Sequence, residues 1–246
     1  MINFKIVVVG GPAEYYVEKC LKSIIGQDNT NWRSQVILDP ADDLTYRKAS
    51  RYASDILGVK INKKRLYAIP NIIKAIELLK PKDNDVIVFV DADDWLYSEN
   101  VLSIVESYYE SSPYVLVTHG SWVGFPSNNM PNNSEPYRDR DFVVGIRNSY
   151  WRGTALRTMK YKVWKRIKDS DLRDQNSRYF KSAWDVAIMF PAIEMAGIGR
   201  IRHIPEPLYV YNKETPFSDD KLRLEEQRKN KEYICNMKPY QYCYDL

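Results

Sequence analysis

Val86-Ile87-Val88-Phe89-Val90 runs without interruption into Asp91-Ala92-Asp93-Asp94-Trp95. Five consecutive apolar residues fit a strand buried on both faces of a sheet. Three carboxylates follow within four residues. Like charges held this close repel, and a cation offsets that cost. Asp is also common in solvated turns, so the position decides the reading, and these carboxylates stand at the carboxyl end of a buried strand. Hard cations such as Mg²⁺ and Mn²⁺ take oxygen ligands and leave coordination positions for substrate phosphates.

Upstream of this stretch, strands and helices alternate. Ile6-Val7-Val8-Val9 is another apolar run, closed by Gly10-Gly11-Pro12. Val17, Cys20, Leu21, Ile24 and Ile25 then follow helical spacing to a stop at Gly26. Val36-Ile37-Leu38 reads as a second buried strand, ended by Asp39-Pro40. A polar helix is expected over 45–57 and a short strand over 59–61. Ile69, Ile72, Ile73, Ile76 and Leu79 form a further helical stripe, with Pro70 tolerated in its first turn. The alternation predicts an α/β fold with a mostly parallel central sheet flanked by helices. In such sheets ligands collect outside the carboxyl ends of the strands. Gly10 and Pro12, Asp39, and the cluster from Asp91 to Asp94 all stand at such ends, so three distant segments should converge on one edge.

The second half is less regular. Val101, Ile104, Val105 and Tyr108 predict a helix, and a strand is expected over 114–118. The stretch 125–141 is rich in Pro, Asn and Ser and reads as a mobile surface loop. A helix is expected over 184–196, with Pro191 kinking it or opening a second piece. Short strands are expected over 201–204 and 208–211, and a polar helix with an aromatic tail from Ser218 onward. The chain thus divides into one domain over 1–217, with halves 1–97 and 98–217, and a helical tail over 218–246.

The 246 residues suffice for one sizeable α/β domain. A net charge of +4, spread along the chain, does not call for a nucleic-acid partner. Cys20, Cys235 and Cys243 include no CxxC pair and suggest no disulfide framework, which favours a reducing, cytoplasmic setting. No apolar run approaches the roughly 18–20 residues needed to span a bilayer, and no leader pattern opens the chain. Peripheral membrane contact and a homodimer stay open.

From Ile6 to about Tyr211 the pattern resembles family 2 glycosyltransferases, in particular a viral and bacterial branch with a DxDDW motif. The likeness rests on Val7 to Pro12, on the helix ending Ile24-Ile25-Gly26-Gln27, and on Asn31-Trp32 followed by Val36-Ile37-Leu38-Asp39. It continues through Asp91-Ala92-Asp93-Asp94-Trp95, Trp184-Asp185 and Pro207-Leu208-Tyr209-Val210-Tyr211. The resemblance implies a GT-A nucleotide-diphospho-sugar transferase fold and an enzyme that moves a sugar from a nucleotide-diphosphate donor, linked to UDP, GDP or dTDP, to a hydroxyl. The acceptor would be a glycan, a lipid-linked glycan or a protein. It implies that Gly10, Pro12, Asp39, Asp91 and Ala92 face the nucleotide and that Asp93, with Asp91, holds Mn²⁺ or Mg²⁺. Asp185 would be the catalytic base, with inversion at the anomeric carbon. The family often carries an Ala-Arg-Asn triplet before the acidic strand; Ile69-Pro70-Asn71 lacks its Arg, and Arg65 or Lys64 would have to substitute.

Other residues carry two readings each. Asp185 opens a helix, where the macrodipole favours an ionised carboxylate, and where Asp also serves as an N-cap. Arg157 could meet the diphosphate or form a salt bridge. Trp95 and Trp122 could stack on sugar or fill core. His119 and His203 lack metal-ligand spacing and read as structural, and Glu194 as polarity beside packing. A sugar nucleotidyltransferase would carry a basic, Gly-rich loop after the first strand, whereas Gly10-Gly11-Pro12-Ala13-Glu14 has no Lys or Arg. A hydride-transferring enzyme would need GxGxxG there. A non-catalytic nucleotide- or carbohydrate-binding module on the same fold is the remaining alternative.

Overall fold

The computed structural model describes residues 1–130, 133–217 and 219–246. Its strands are β1 (Phe4–Gly10), β2 (Trp32–Leu38), β3 (Leu57–Ile61), β4 (Val86–Asp91), β5 (Trp95–Leu96), β6 (Val117–Phe125), β7 (Arg157–Lys160) and β8 (Ile201–Asn212). The helices are α1 (Val17–Ile25), α2 (Thr45–Ser50), α3 (Ala68–Leu79), α4 (Val101–Glu110), α5 (Asp139–Val143), α6 (Tyr161–Trp164), α7 (Trp184–Ala196), α8 (Asp219–Leu222) and α9 (Leu224–Asn236).

All these strands join one sheet in the order β3-β2-β1-β4-β7-β6-β8-β5. The first four are parallel. Beyond them β7 runs antiparallel to both β4 and β6, whereas β6 and β8 are parallel. The reason for the unbroken apolar runs is visible in β1. Phe4, Ile6 and Val8 enter one core cluster with α1 and α4, while Val7 and Val9 enter another with α3 and α7. Period-2 alternation puts these sets on opposite faces, and both faces are covered.

Several boundaries differ from the sequence expectation. The helix expected to 57 stops at Ser50, and Leu57 opens β3 by pairing with Ser34. The ladder with β2 outweighs the local helical preference there. The strand expected over 114–118 starts at Val117 and extends to Phe125. The two strands expected over 201–211 are one, and a register irregularity around Ser121 of the partner strand accommodates Pro205 and Pro207. Helix α7 continues through Pro191. Strand β7, Arg-Thr-Met-Lys, has no apolar signature and was not expected; its neighbours on both sides define it. In the stretch 125–141, α5 begins at Asp139, while Pro131 and Asn132 lie outside the described residues, as does Ser218 at the expected start of the tail.

The tail packs on α7. Arg147 donates from Nε and Nη2 to both carboxylate oxygens of Glu194, at 2.7 and 2.9 Å, and from Nη1 to the carbonyl of Ile234 at 2.8 Å. The backbone N–H of Tyr240 donates to Glu194 Oε2, and Arg200 donates to the carbonyls of Cys243 and Leu246. Glu194 is therefore the centre of a buried bidentate pair that fixes the tail. Among the described residues no helix is long and apolar enough to cross a membrane.

Candidate functional site

The carboxyl ends of β1, β2 and β4 meet at a cleft of about 420 Å³ whose far wall comes from β6, β7, β8 and the start of α7. Its lining includes Gly10, Pro12, Asp39, Arg65, Asp91, Asp93, Arg157 and Asp185. Of the sequence-derived site residues Ala92 alone is not among the lining residues: it is fully buried. A Cβ on Gly10 would lie 2.6 Å from the Cβ of Ala92, and the N–H of Ala92 donates to the carbonyl of Val9 at 2.8 Å. Gly10 is thus required by close approach of two backbones, which Ala92 completes by packing. No nucleotide contact from its side chain is offered.

The three carboxylates of the acidic cluster do not behave alike. Asp94 is 2% exposed and accepts the N–H of Asn212 at Oδ1, 2.7 Å away. Burial first, and then the charges of Asp93 and Asp91, push its carboxyl well above the usual range. It ties the turn after β4 to the end of β8. The side chain of Asn212 also donates to the carbonyl of Asp93 at 3.1 Å, and the phenol of Tyr209 accepts the N–H of Asp91. Asp91 and Asp93 are half-buried and line the cleft. Among the described residues no three His, Cys, Asp or Glu side chains are gathered to hold a metal. Two carboxylates are a fitting partial set for a hard divalent cation that takes its remaining ligands from phosphate oxygens and water.

Asp39 is buried at the end of β2 and its carboxylate is heavily engaged. Oδ1 accepts from Nδ2 of Asn62 (2.9 Å), Nδ2 of Asn71 (3.0 Å) and the N–H of Leu66 (3.0 Å), and Oδ2 accepts the N–H of Tyr67 at 2.7 Å. Asp39 lines the cleft, where the family resemblance expects the nucleotide, and these bonds anchor the 62–67 loop and the start of α3 beside it. They also hold Tyr67 at φ 68, a conformation that costs a non-glycine residue about 1–3 kcal/mol and persists only where surroundings enforce it.

Around the ring of Tyr67 three cations gather. The Cζ of Arg65 is 4.9 Å, the Nζ of Lys181 5.4 Å and the Cζ of Arg223 4.2 Å from its centroid. Arg65 and Lys181 line the cleft, and among the described residues neither forms an ion pair. Lys181 was missed by the sequence reading. It sits 114 positions from Tyr67 in the chain, and no local pattern marks it.

Across the cleft Arg157 donates from Nη2 to Oδ2 of Asp185 at 3.0 Å. The two residues given separate roles on sequence therefore touch each other. Asp185 occupies the first turn of α7 and forms no side-chain cap bond, since the N-cap position is Ala183, at φ 60. Trp122, Trp151, Trp184 and Tyr211 complete the wall, with the rings of Trp122 and Tyr211 5.2 Å apart. Trp95 is instead core, packed with Val123 and Val210 beneath the Nζ of Lys19.

His119 and His203, far apart in sequence, are register partners on β6 and β8 with rings 5.1 Å apart. Burial, then the charge of His203, lowers the pKa of His119 to about 3. In the unfolded chain its pKa returns to the ordinary value near 6.5. The unfolded state then binds the extra proton, so this contribution is present above about pH 6.5 and is lost on acidification. A loss of about 1.4 kcal/mol per pH unit is expected below that point. Urea midpoints of the native protein and of His119→Phe at about pH 7 and about pH 5 check this. The variant should lose the corresponding part of the slope, and identical slopes would refute the buried neutral ring.

Residues 8–178 match the family model described as Glycosyl transferase family 2. Among solved structures, S. aureus TarS 1-349 in complex with UDP is 19% identical with a TM-score of 0.67, over 98% of this chain and 68% of that one. A longer S. aureus TarS structure gives the same score and identity over 41% of its own length. Mannosyltransferase PcManGT from Pyrobaculum calidifontis, in complex with GDP-Man and Mn²⁺, is 16% identical with a TM-score of 0.59, over 97% of this chain and 66% of that one. At these identities the likeness is one of fold. No curated protein matches the chain in sequence.

Proposed function

The chain belongs to glycosyl transferase family 2, and on that premise we propose that its cleft transfers a sugar from a nucleotide-diphosphate donor to an acceptor hydroxyl with inversion. The protein is a glycosyltransferase with an α/β fold of the GT-A kind. One observation carries the finer reading. A single cleft joins the Gly10 turn, Asp91 and Asp93, the cations Arg65 and Lys181, which form no ion pair among the described residues, and Asp185 across from them.

In this reading residues 1–97, joined by Lys181, supply the donor half and the rest of 98–217 the acceptor half. Gly10, Pro12 and Asn71 flank the nucleoside, with Asp39 holding the loop that completes the pocket. Arg65 and Lys181 meet the diphosphate, replacing the Arg that the helix α3 lacks. Asp93, with Asp91, would hold Mn²⁺ or Mg²⁺, which supplies Lewis-acid stabilisation of the leaving diphosphate. Asp185 takes the proton from the acceptor hydroxyl as its oxygen bonds to the anomeric carbon, and the bond from that carbon to the diphosphate breaks. A single displacement of this kind inverts the centre. Trp122 and Tyr211 offer aromatic faces to a carbohydrate acceptor, the class of surface that sugar and ligand sites commonly present.

Thermal melts with UDP, GDP and dTDP test the donor half. One nucleoside diphosphate should raise the melting temperature, and Mn²⁺ should enlarge that rise. Stabilisation that ignores the metal would overturn the assignment of Asp91 and Asp93.

A further inference from the structure

Resting on the reading of Asp185 as the base, we infer that Arg157 is the residue that positions this base and does not bind the donor diphosphate. Three contacts fix its guanidinium. Nε donates to the carbonyl of Gly153 at 2.8 Å, Nη2 donates to Oδ2 of Asp185 at 3.0 Å, and the group lies 5.3 Å from the ring centroid of Trp184. The residue grips both Trp184 and Asp185, the first two residues of α7. Its own backbone is equally fixed, because Arg157 pairs with Phe89 on one side and His119 on the other within the sheet. The side chains of the pair are 15% and 26% exposed. That degree of shelter separates it from the freely solvated ion pairs that contribute little.

The geometry also sorts the two carboxylate oxygens. Arg157 takes Oδ2, and among the described residues nothing donates to Oδ1. Oδ1 is therefore the oxygen left to accept the proton of the acceptor hydroxyl. The guanidinium held against Oδ2 fixes the direction in which the carboxylate points. An Arg committed in this way is poorly placed to serve the diphosphate, since moving it would strand the Asp185 charge in a half-buried site. The diphosphate has Arg65 and Lys181, whose charges no described acid compensates.

The test compares Arg157→Met, Arg157→Lys, Asp185→Asn and the double variant Arg157→Met with Asp185→Asn. Each is measured for nucleoside diphosphate affinity with Mn²⁺ by calorimetry, and for nucleoside diphosphate release from the donor with water or an aryl glycoside as acceptor. Arg157→Met should keep the native affinity, which also reports that it is folded, and should lower kcat about 100-fold through misplacement of the base. Arg157→Lys should recover part of that loss. The double variant should be no slower than Asp185→Asn alone, because the two residues act as one unit. A loss of affinity of about tenfold or more with kcat retained would make Arg157 a diphosphate ligand and overturn the inference. Additive losses in the double variant would overturn it as well. If Asp185→Asn turns over normally, the base assignment fails, and the role of Arg157 falls with it.

Discussion

Asp185→Asn is expected to abolish sugar transfer while leaving nucleoside diphosphate binding at its native strength. The substitution preserves the size and shape of the side chain, and its amide oxygen can still accept from Arg157. What it removes is the capacity to take a proton. General-base catalysis contributes about 10²–10⁴-fold, and a loss in kcat of that order is the expected result. Binding should survive because the proposed donor contacts, Gly10, Pro12, Arg65 and Lys181, do not include the Asp185 carboxylate. Transfer followed by product release, beside calorimetric titration with the nucleoside diphosphate, reads both quantities. Transfer at native rate would show that Asp185 is not the base. Loss of binding and transfer together would mean that Asp185 is itself part of the donor site.

Asp93→Asn is expected to remove the metal-dependent part of nucleotide affinity. An amide keeps one neutral oxygen donor but loses the charge that attracts a divalent ion, and with only Asp91 remaining the partial ligand set collapses. Loss of an orienting group outside the ligand shell already lowers metal affinity about 10–100-fold, so loss of a ligand itself should exceed about 100-fold. Titrations with and without Mn²⁺ should then coincide for the variant and differ for the native protein. A variant that still distinguishes the two conditions would take the metal away from Asp93. The buried neighbour Asp94 is unsuited to the same role, since its carboxylate is spent on Asn212 and its ionised form is disfavoured by burial and by both neighbouring charges.

The parallel half of the sheet was legible because its signal is local. A strand covered on both faces must be apolar at every position, as 6–9 and 86–90 are, and its carboxyl end is where a turn and polar residues must appear. Strand β7 was not legible for the opposite reason. Arg157 to Lys160 is buried by pairing with β4 and β6, not by its own hydrophobicity. The cation group at Tyr67 escaped notice on similar grounds, since Arg65, Lys181 and Arg223 arrive from the starts of three different helices.

By itself the sequence determined the α/β alternation, the edge of the sheet where ligands collect, and the family to which the motifs point. These follow from periodicity and from residue order, which survive in one dimension. Tertiary structure alone decided what each charge does. It left Asp91 and Asp93 half-buried, buried Asp94 against Asn212, tied Asp39 to the 62–67 loop at the cleft, and set Arg157 against Asp185. An ionisable side chain is defined by its burial and its partners within a few ångströms, and those partners come from segments tens of residues away.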